Sequence, residues 1–243
     1  NILHIDSDHY VFHKDTKERK IITGREFGAE VDNIGLRGFL KDYEIWPDDM
    51  KGSFQRFRDL PQVTLQEQPL WMDLENALKR GEWMGPAWAQ FYHAVLNQRP
   101  VAIITARGHH PETIKGSLAT FKDKGHLPLD PNYLAVLPVS HPEIRPLLGG
   151  GSVPELKRKA IRYAVEQAFQ TYGYNDHHRF GMSDDDPKNV QKIIEEFILL
   201  KKDYPKVSFF IIETTHGHCN KWQIYRDHAE KTEVPVHQQL SLL

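Results

Sequence analysis

The sequence predicts an α/β fold, with a parallel sheet flanked by helices and a mainly helical and loop insertion after the first strand. From residue 100 onward, short apolar runs alternate with segments of helical periodicity, the pattern of successive strand and helix units. Several apolar runs end in polar side chains, as strands do at the ligand-binding edge of a parallel sheet. Residues 24–70, in contrast, are interrupted by glycine and proline and have no sustained period.

The chain has 243 residues, enough for one large domain or for a core with a modest insertion. Its 31 Lys and Arg residues nearly balance 33 Asp and Glu residues, so no overall basic field indicates nucleic acid or an anionic membrane as a partner. No apolar run approaches the roughly 20 residues of a membrane span. The single cysteine, Cys219, excludes an internal disulfide framework. We therefore expect a cytoplasmic protein; the sequence does not indicate its oligomeric state.

The first predicted strand is Ile2-Leu3-His4-Ile5, and it ends in two carboxylates, Asp6 and Asp8. A turn after Asp6 would bring Asp8 back to the same side, so both side chains would surround one point that suits a hard cation such as Mg²⁺. Taken alone, the pair is more typical of an ordinary turn, because aspartate side chains bond to nearby backbone amides.

A hairpin and then the insertion are predicted after Asp8. The β-prone runs 10–13 and 20–23 form the hairpin, and a short helix near 54–57 is the one element expected within 24–70. Two helices follow, over 72–79 and 86–97. We expect residues 1–23 and 100–243 to form the α/β core and residues 24–99 to form the inserted region.

The predicted core alternates strands with helices. Strands are predicted over 101–104, 133–137, 179–182 and 207–212. Helices are predicted over 111–124, from the Ser152 to Glu155 capping box onward, and from Pro187 onward. The last helix carries an apolar face made of Val190, Ile193, Ile194, Phe197 and Ile198.

Six polar residues stand at predicted strand ends or helix starts, in the order Asp6, Asp8, Thr105, Lys157, Asp184 and Asp185. Phosphoryl transfer to a carboxylate needs such a set, because the carboxylate and a phosphate dianion repel each other. Unit charges about 4 Å apart repel by about 4 kcal/mol at an effective dielectric of about 20. Mg²⁺ held by carboxylates and a lysine ammonium offset this repulsion, and a hydroxyl at a helix start donates to a phosphate oxygen.

The ordered set resembles the four motifs of the haloacid dehalogenase (HAD) superfamily, which here read Asp6-Ser7-Asp8, Thr105-Ala106-Arg107, Lys157 and Asp184-Asp185-Asp186-Pro187-Lys188-Asn189-Val190. The resemblance covers about residues 1–13 and 100–214. It implies a Rossmann-like core and a phosphatase, a hydrolase that forms an aspartyl-phosphate intermediate. Two residues depart from the pattern, namely Tyr10, where the family usually has Thr or Val, and His4 within the apolar strand.

By this resemblance Asp6 is the nucleophile, and Asp8 is the acid that protonates the leaving oxygen and later activates water. Thr105 and Lys157 hold the phosphate. The implied cofactor is Mg²⁺, bound by Asp6, the backbone carbonyl of Asp8, Asp184 and Asp185. The insertion would cover the site and select a phosphorylated substrate, whose class the sequence does not indicate.

Two of these assignments have alternatives within the same family. Lys159 has the same chemistry as Lys157, although the position of Lys157 before Ala160 and Ile161 fits the family better. Either lysine is also typical of a solvated helix face. Asp186 alone would account for part of the acidic run as a helix cap.

Other functions fit parts of the sequence. His4-Ile5-Asp6-Ser7-Asp8-His9 is one residue away from the zinc motif of metallo-β-lactamase-like hydrolases, but the middle ligand is wrong for that motif. His216-Gly217-His218-Cys219 has metal donor atoms without a convincing second pair nearby. A non-catalytic phosphate-binding or scaffold protein would share the fold, although a carboxylate at position 6 favours an enzyme.

Overall fold

A computed structural model of the chain describes residues 2–47, 50–214 and 220–233, in two compact units. The amino-terminal unit consists of His4–Trp83 and Arg107–Leu118. The carboxyl-terminal unit consists of Asn1–Leu3, Met84–Ala106 and Ala119–Leu243. Among the residues described, no helix combines the length and the apolar character needed to cross a membrane.

The amino-terminal unit is built on a small antiparallel sheet. Its strands are β1 (His9–His13), β2 (Arg19–Ile22) and β3 (Tyr43–Glu44), in the order β2-β1-β3. Helices α1 (Gly24–Glu30) and α2 (Pro69–Arg80) belong to the same unit, with short 3-10 helices at Gly38–Leu40, Gln55–Phe57 and Leu65–Glu67. Val11, Ile22 and Leu40 form its apolar centre.

The carboxyl-terminal unit is mixed α/β and contains two parallel strand pairs. Strand β4 (Val101–Thr105) pairs with β5 (Tyr133–Pro138), and β6 (Arg179–Asp184) pairs with β7 (Ser208–Glu213). Strands β8 (Asn220–Ile224) and β9 (Ala229–Glu233) extend the second pair in antiparallel fashion, giving the order β6-β7-β8-β9. The helices are α3 (Trp88–Leu96), α4 (Pro111–Asp123), which begins in the amino-terminal unit, α5 (Ile144–Leu147), α6 (Val153–Tyr172) and α7 (Pro187–Asp203).

Helices α6 and α7 begin where the sequence supplies capping groups. The Glu155 carboxylate accepts from the backbone N–H of Ser152 at 2.8 Å, and the Asp186 carboxylate accepts from the backbone N–H of Lys188 at 2.9 Å. Each bond satisfies a donor that the helix itself leaves unpaired. These caps fix the positions of Lys157, the fifth residue of α6, and Asn189, the third residue of α7.

The core of this unit lies between α6, α7 and the β6–β7 pair. The buried side chains of α7, among them Val190, Ile193 and Phe197, form one cluster with Phe209 and Ile211 of β7. Burying such a face is what stabilises an amphipathic helix, since propensity alone contributes little. The buried Glu196 of α7 is bonded to Arg162 of α6, with Nε and Oε1 2.6 Å apart.

The predicted α/β class, the hairpin and the helices of the core are confirmed within a few residues. The prediction of a strand over 2–5 is wrong, because Leu3 makes a single isolated bridge, to Met84. The first strand is β1, which pairs with β2 in an antiparallel ladder from His9 to Phe12. Asp6 and Asp8 therefore precede a strand. A single Rossmann-like sheet with HAD-like order stays a prediction, since the described strands form separate sheets.

Adjacent leucines in α7 allow a direct test of this core. Leu200 is 0% exposed and Leu199 is 41% exposed. We expect Leu200→Ala to lower the free energy of unfolding by about 2–5 kcal/mol, because it leaves a cavity. Leu199→Ala, the matched control, should change it by no more than about 0.5 kcal/mol. Urea unfolding of both variants checks this, and equal losses would contradict the described orientation of α7.

Candidate active site

The carboxyl end of β6 carries a buried carboxylate, that of Asp184. Strand β6 runs parallel to β7, and Asp184 is paired in register with Glu213. The backbone carbonyl of Asp184 accepts from the backbone N–H of Thr214 at 3.1 Å. Ligand sites of α/β proteins lie at such strand ends, because the backbone leaves the sheet there and exposes side chains and helix starts.

Three donors from the described part of the chain surround the Asp184 carboxylate. Oδ1 accepts from the backbone N–H of Asp186 at 3.0 Å and from Asn189 Nδ2 at 3.2 Å. Oδ2 accepts from Lys157 Nζ at 3.2 Å. One cation and two neutral donors thus offset the free-energy cost of burying this carboxylate. They also fix its orientation.

Lys157 and Lys159, the two candidates for the phosphate-binding lysine, have different hydrogen-bond partners. Lys157 contacts Asp184, whereas Lys159 Nζ donates to the carbonyl oxygen of Gly150 at 2.9 Å. Gly150 has a φ of +68°, a left-handed conformation that glycine adopts without strain. Lys159 therefore holds the loop before α6, while Lys157 lies beside a predicted site carboxylate; the catalytic role of Lys157 stays a prediction.

The remaining acidic residues of the run have separate positions. Asp185 is exposed, and Asp186 is the cap of α7. Asp186 is therefore the helix cap that the sequence offered as an alternative. This capping role does not account for Asp184 and Asp185. Thr105 is the last residue of β4, and its carbonyl accepts from the backbone N–H of Val139 at 2.9 Å.

Asp6 and Asp8 belong to the amino-terminal unit, and the other four predicted site residues belong to the carboxyl-terminal unit. Asp6 is exposed, and its Oδ1 accepts from the backbone N–H of Gly24 at 2.9 Å. Asp8 is half-buried. The structure brings Lys157 and Asp184 into contact, and the joint action of all six residues stays a prediction.

Comparison with protein-family models, with curated proteins and with solved structures gives no match. Function is therefore inferred from the chemistry of the site.

The Mg²⁺ site expected at the end of β6 stays a prediction, because both Asp184 oxygens already accept hydrogen bonds in the structure. Asp184 and Asp185 supply carboxylate oxygens, and Mg²⁺ in proteins is commonly held by one or two carboxylates together with water and substrate phosphate. In the ranges that the structure describes, no group of three or more His, Cys, Asp or Glu side chains could hold a metal ion. His216-Gly217-His218-Cys219 lies outside the described residues.

His9, the last histidine of the alternative zinc motif, is packed among aromatic rings. Its ring is stacked on Phe27 with centroids 4.1 Å apart and lies 4.6 Å from the ring of Phe57. Burial lowers the pKa of His9 to about 4, so the imidazole is neutral at physiological pH. This environment is that of a core side chain.

Sequence reasoning missed a half-buried arginine in the amino-terminal unit. Arg107 Nη2 donates to Ser7 Oγ at 2.8 Å, and the guanidinium carbon lies 4.7 Å from the ring centroid of Phe57. Burial lowers the pKa of Arg107 to about 10, which still leaves it charged at neutral pH. The signal was present in part, because Arg107 follows Thr105 directly in the second motif and Ser7 stands inside the first.

The pair formed by half-buried Asp59 and buried His109 was also missed. Asp59 Oδ1 lies 2.9 Å from His109 Nδ1, and His109 is 0% exposed. Burial tends to raise the pKa of Asp59, but hydrogen bonds from His109, the His110 backbone and Thr113 outweigh it and lower the pKa. Burial lowers the pKa of His109. An ionised Asp59 only accepts, so Nδ1 of His109 carries a proton, and the lowered pKa keeps the ring neutral at neutral pH.

This pair predicts a pH-dependent stability. In the unfolded chain His109 takes up a proton as the pH falls below its ordinary pKa of 6.5. In the folded chain the pKa of His109 is lower, so less proton is bound at the same pH. The free energy of unfolding therefore falls as the pH drops through 6.5. Asp59 contributes stability above its ordinary pKa of 3.8 that is lost only at lower pH. His109→Asn keeps a donor toward Asp59 without titrating. We expect a smaller loss of unfolding free energy in His109→Asn than in the wild type between about pH 7.5 and about pH 5.

Urea unfolding at the two pH values measures this difference. The other histidines titrate in both proteins, so their contribution cancels. Equal pH slopes in the wild type and in His109→Asn would show that His109 is protonated without cost.

Proposed function

We propose that the chain is a Mg²⁺-dependent phosphatase that hydrolyses a phosphate monoester through an aspartyl-phosphate intermediate. The observation that carries the proposal is the contact of Lys157 Nζ with Asp184 Oδ2 at the carboxyl end of β6, a parallel strand. A phosphate site needs cations beside carboxylates, and this contact places a lysine ammonium beside one of the proposed metal ligands.

The proposed ligands of Mg²⁺ are Asp6, the carbonyl of Asp8, Asp184 and Asp185, as the sequence predicts. When bound by these residues, the metal would supply positive charge that stabilises the phosphate oxygens. Lys157 and Thr105 bind the phosphate, Lys157 through its charge and Thr105 as a hydroxyl donor. Asp186 N–H and Asn189 orient Asp184 for this role by bonding its Oδ1.

The proposed chemistry has two steps. An Asp6 carboxylate oxygen attacks phosphorus, the ester P–O bond breaks, and Asp8 gives its proton to the leaving oxygen. Water then attacks phosphorus, Asp8 takes a proton from that water, and the P–O bond to Asp6 breaks to release phosphate. The hydrogen bond from Gly24 to Asp6 Oδ1 supports the assignment, because it fixes the orientation of the proposed nucleophile.

The metal requirement can be tested directly. With p-nitrophenyl phosphate as the probe, we expect turnover to be lost after metal stripping and restored by Mg²⁺, because the carboxylates and the phosphate repel without it. Release of p-nitrophenolate measures this. Full activity of the stripped protein in a strong chelator would contradict the proposal, and restoration by Zn²⁺ alone would favour a zinc hydrolase instead.

The division of roles between Asp6 and Asp8 gives a second expectation. Asp6→Asn should abolish the covalent intermediate, because an amide is a poor nucleophile. Asp8→Asn should slow both formation of the intermediate and its hydrolysis. Acid quenching and peptide mapping locate the phosphoryl group, and its attachment to another residue would overturn the assignment. Mg²⁺-dependent phosphate binding without turnover would favour the non-catalytic alternative.

Lys157 and Lys159 form a matched pair for a third test. Lys157→Met removes the cation beside Asp184, so we expect kcat/KM to fall by about 100-fold to 1,000-fold. Lys159→Met removes only the bonds to the loop carbonyls, so kcat/KM should stay within about threefold of the wild type. Unfolding curves control for loss of fold, and a reversed order of effects would transfer the role to Lys159.

A further inference from the structure

Asp59 makes three hydrogen bonds to the start of α4. Its Oδ1 lies 2.9 Å from His109 Nδ1, and its Oδ2 accepts from the His110 backbone N–H and from Thr113 Oγ1, both at 2.9 Å. The His110 donor is a backbone N–H just before α4 and the Thr113 donor is a side-chain hydroxyl in its first turn, and both are held by a residue about 50 positions away. Asp59 therefore ties a distant segment to the start of α4.

Phe57 adds two contacts to the same pair of segments. The backbone N–H of Gly108 donates to the Phe57 carbonyl at 2.9 Å, and the Arg107 guanidinium carbon lies 4.7 Å from the centroid of the Phe57 ring. Segment 57–59 thus holds segment 107–113 through backbone, side-chain and ring contacts.

The held segment carries Arg107, which reaches the first motif. Arg107 Nη2 donates to Ser7 Oγ at 2.8 Å, and Ser7 is 2% exposed. Ser7 is the chain neighbour of both Asp6 and Asp8. A shift of the backbone at Arg107 would therefore move the side chain that anchors the residue between the two proposed reactive carboxylates.

We propose that Asp59 is a positioning residue for the Asp6-Ser7-Asp8 segment, acting through the 107–113 segment and the Arg107 to Ser7 bond. This inference rests on the proposed phosphatase function. It gives the region predicted as an insertion a second role beside substrate selection. A displacement of about 1 Å at a nucleophile costs up to about 100-fold in rate, so such a support affects kcat.

Three variants and a control separate positioning from other roles. Asp59→Ala removes all three bonds. Asp59→Asn keeps a carbonyl oxygen for His110 and Thr113, and its amide donates to His109 Nδ1 once the histidine proton moves to Nε2. Thr113→Val removes one bond of the three. Asp15→Ala, which changes an exposed aspartate of the β1–β2 turn in the same unit, is the control.

Hydrogen exchange of residues 107–113 and Mg²⁺-dependent hydrolysis of p-nitrophenyl phosphate are measured for each protein. In Asp59→Ala we expect amide exchange at 108 and 110 to rise at least about tenfold. We also expect kcat to fall about 10-fold to 100-fold with a smaller change in KM. Asp59→Asn should recover most of both losses, Thr113→Val should fall between, and Asp15→Ala should match the wild type. If Asp59→Ala does not fold, Asp59→Asn and Thr113→Val carry the test.

Faster amide exchange of residues 107–113 in Asp59→Ala together with an unchanged kcat would overturn the positioning role. It would leave the proposed function intact. Asp59→Asn with a protected segment and a kcat as low as that of Asp59→Ala would also overturn it, because the charge itself would then be required. Absence of Mg²⁺-dependent turnover in the wild type would refute the proposed function, and the catalytic role of Asp59 with it. The exchange data would still decide whether Asp59 holds the segment.

Discussion

The compensation of one buried carboxylate, that of Asp184, determines how the carboxyl-terminal unit must be built around β6. A buried charge without partners costs several kcal/mol, so donors have to arrive from the elements that pack against the strand. They come from α6 as Lys157 and from the start of α7 as Asn189 and the Asp186 N–H. The caps at Ser152 and Asp186 set the register in which both helices present them. The starts of α6 and α7, the end of β6 and the charge of Asp184 thus depend on one another.

In the amino-terminal unit, too, polar side chains are removed from water and bonded to one another. Its buried Ser7 and His109 bond to the half-buried Arg107 and Asp59, and these hydrogen bonds join segments that are far apart in the chain. Such a network ties conformation to satisfied bonds, because losing one partner leaves another group buried and unpaired. Apolar packing of Val11, Ile22 and Leu40 alone would allow more variation in the loops of residues 24–70.

Local patterns in the sequence predicted the elements whose stabilising contacts lie on one face. The apolar face of α7 was identified because it repeats at the helical period, and β4, β5, β6 and β7 were identified as short apolar runs. The run at 2–5 looked like a strand by composition, but only Leu3 forms a bridge, so no ladder pairs it. Strands β8 and β9 were not predicted, since their polar residues lack a clear apolar alternation.

The site was predictable to a smaller extent. Lys157 and Asp184 were selected from motif order, and their contact agrees with that selection without testing its chemistry. The Asp59 to His109 bond could not be predicted, because no periodicity relates residues 50 positions apart in a single sequence. Arg107 was visible only as part of a motif, and its partner Ser7 became evident only in three dimensions.

The low solvent exposure of the Lys157 to Asp184 ion pair determines how strongly ionic strength affects this contact. Its side chains are 14% and 8% exposed, whereas those of Lys206 and Asp176, another lysine–aspartate pair of this unit, are 72% and 43% exposed. Mobile ions screen charges that water surrounds and screen buried pairs much less. Added salt therefore weakens the surface pair more than the Lys157 to Asp184 pair, so this contact at β6 is maintained across a wide range of electrolyte concentrations.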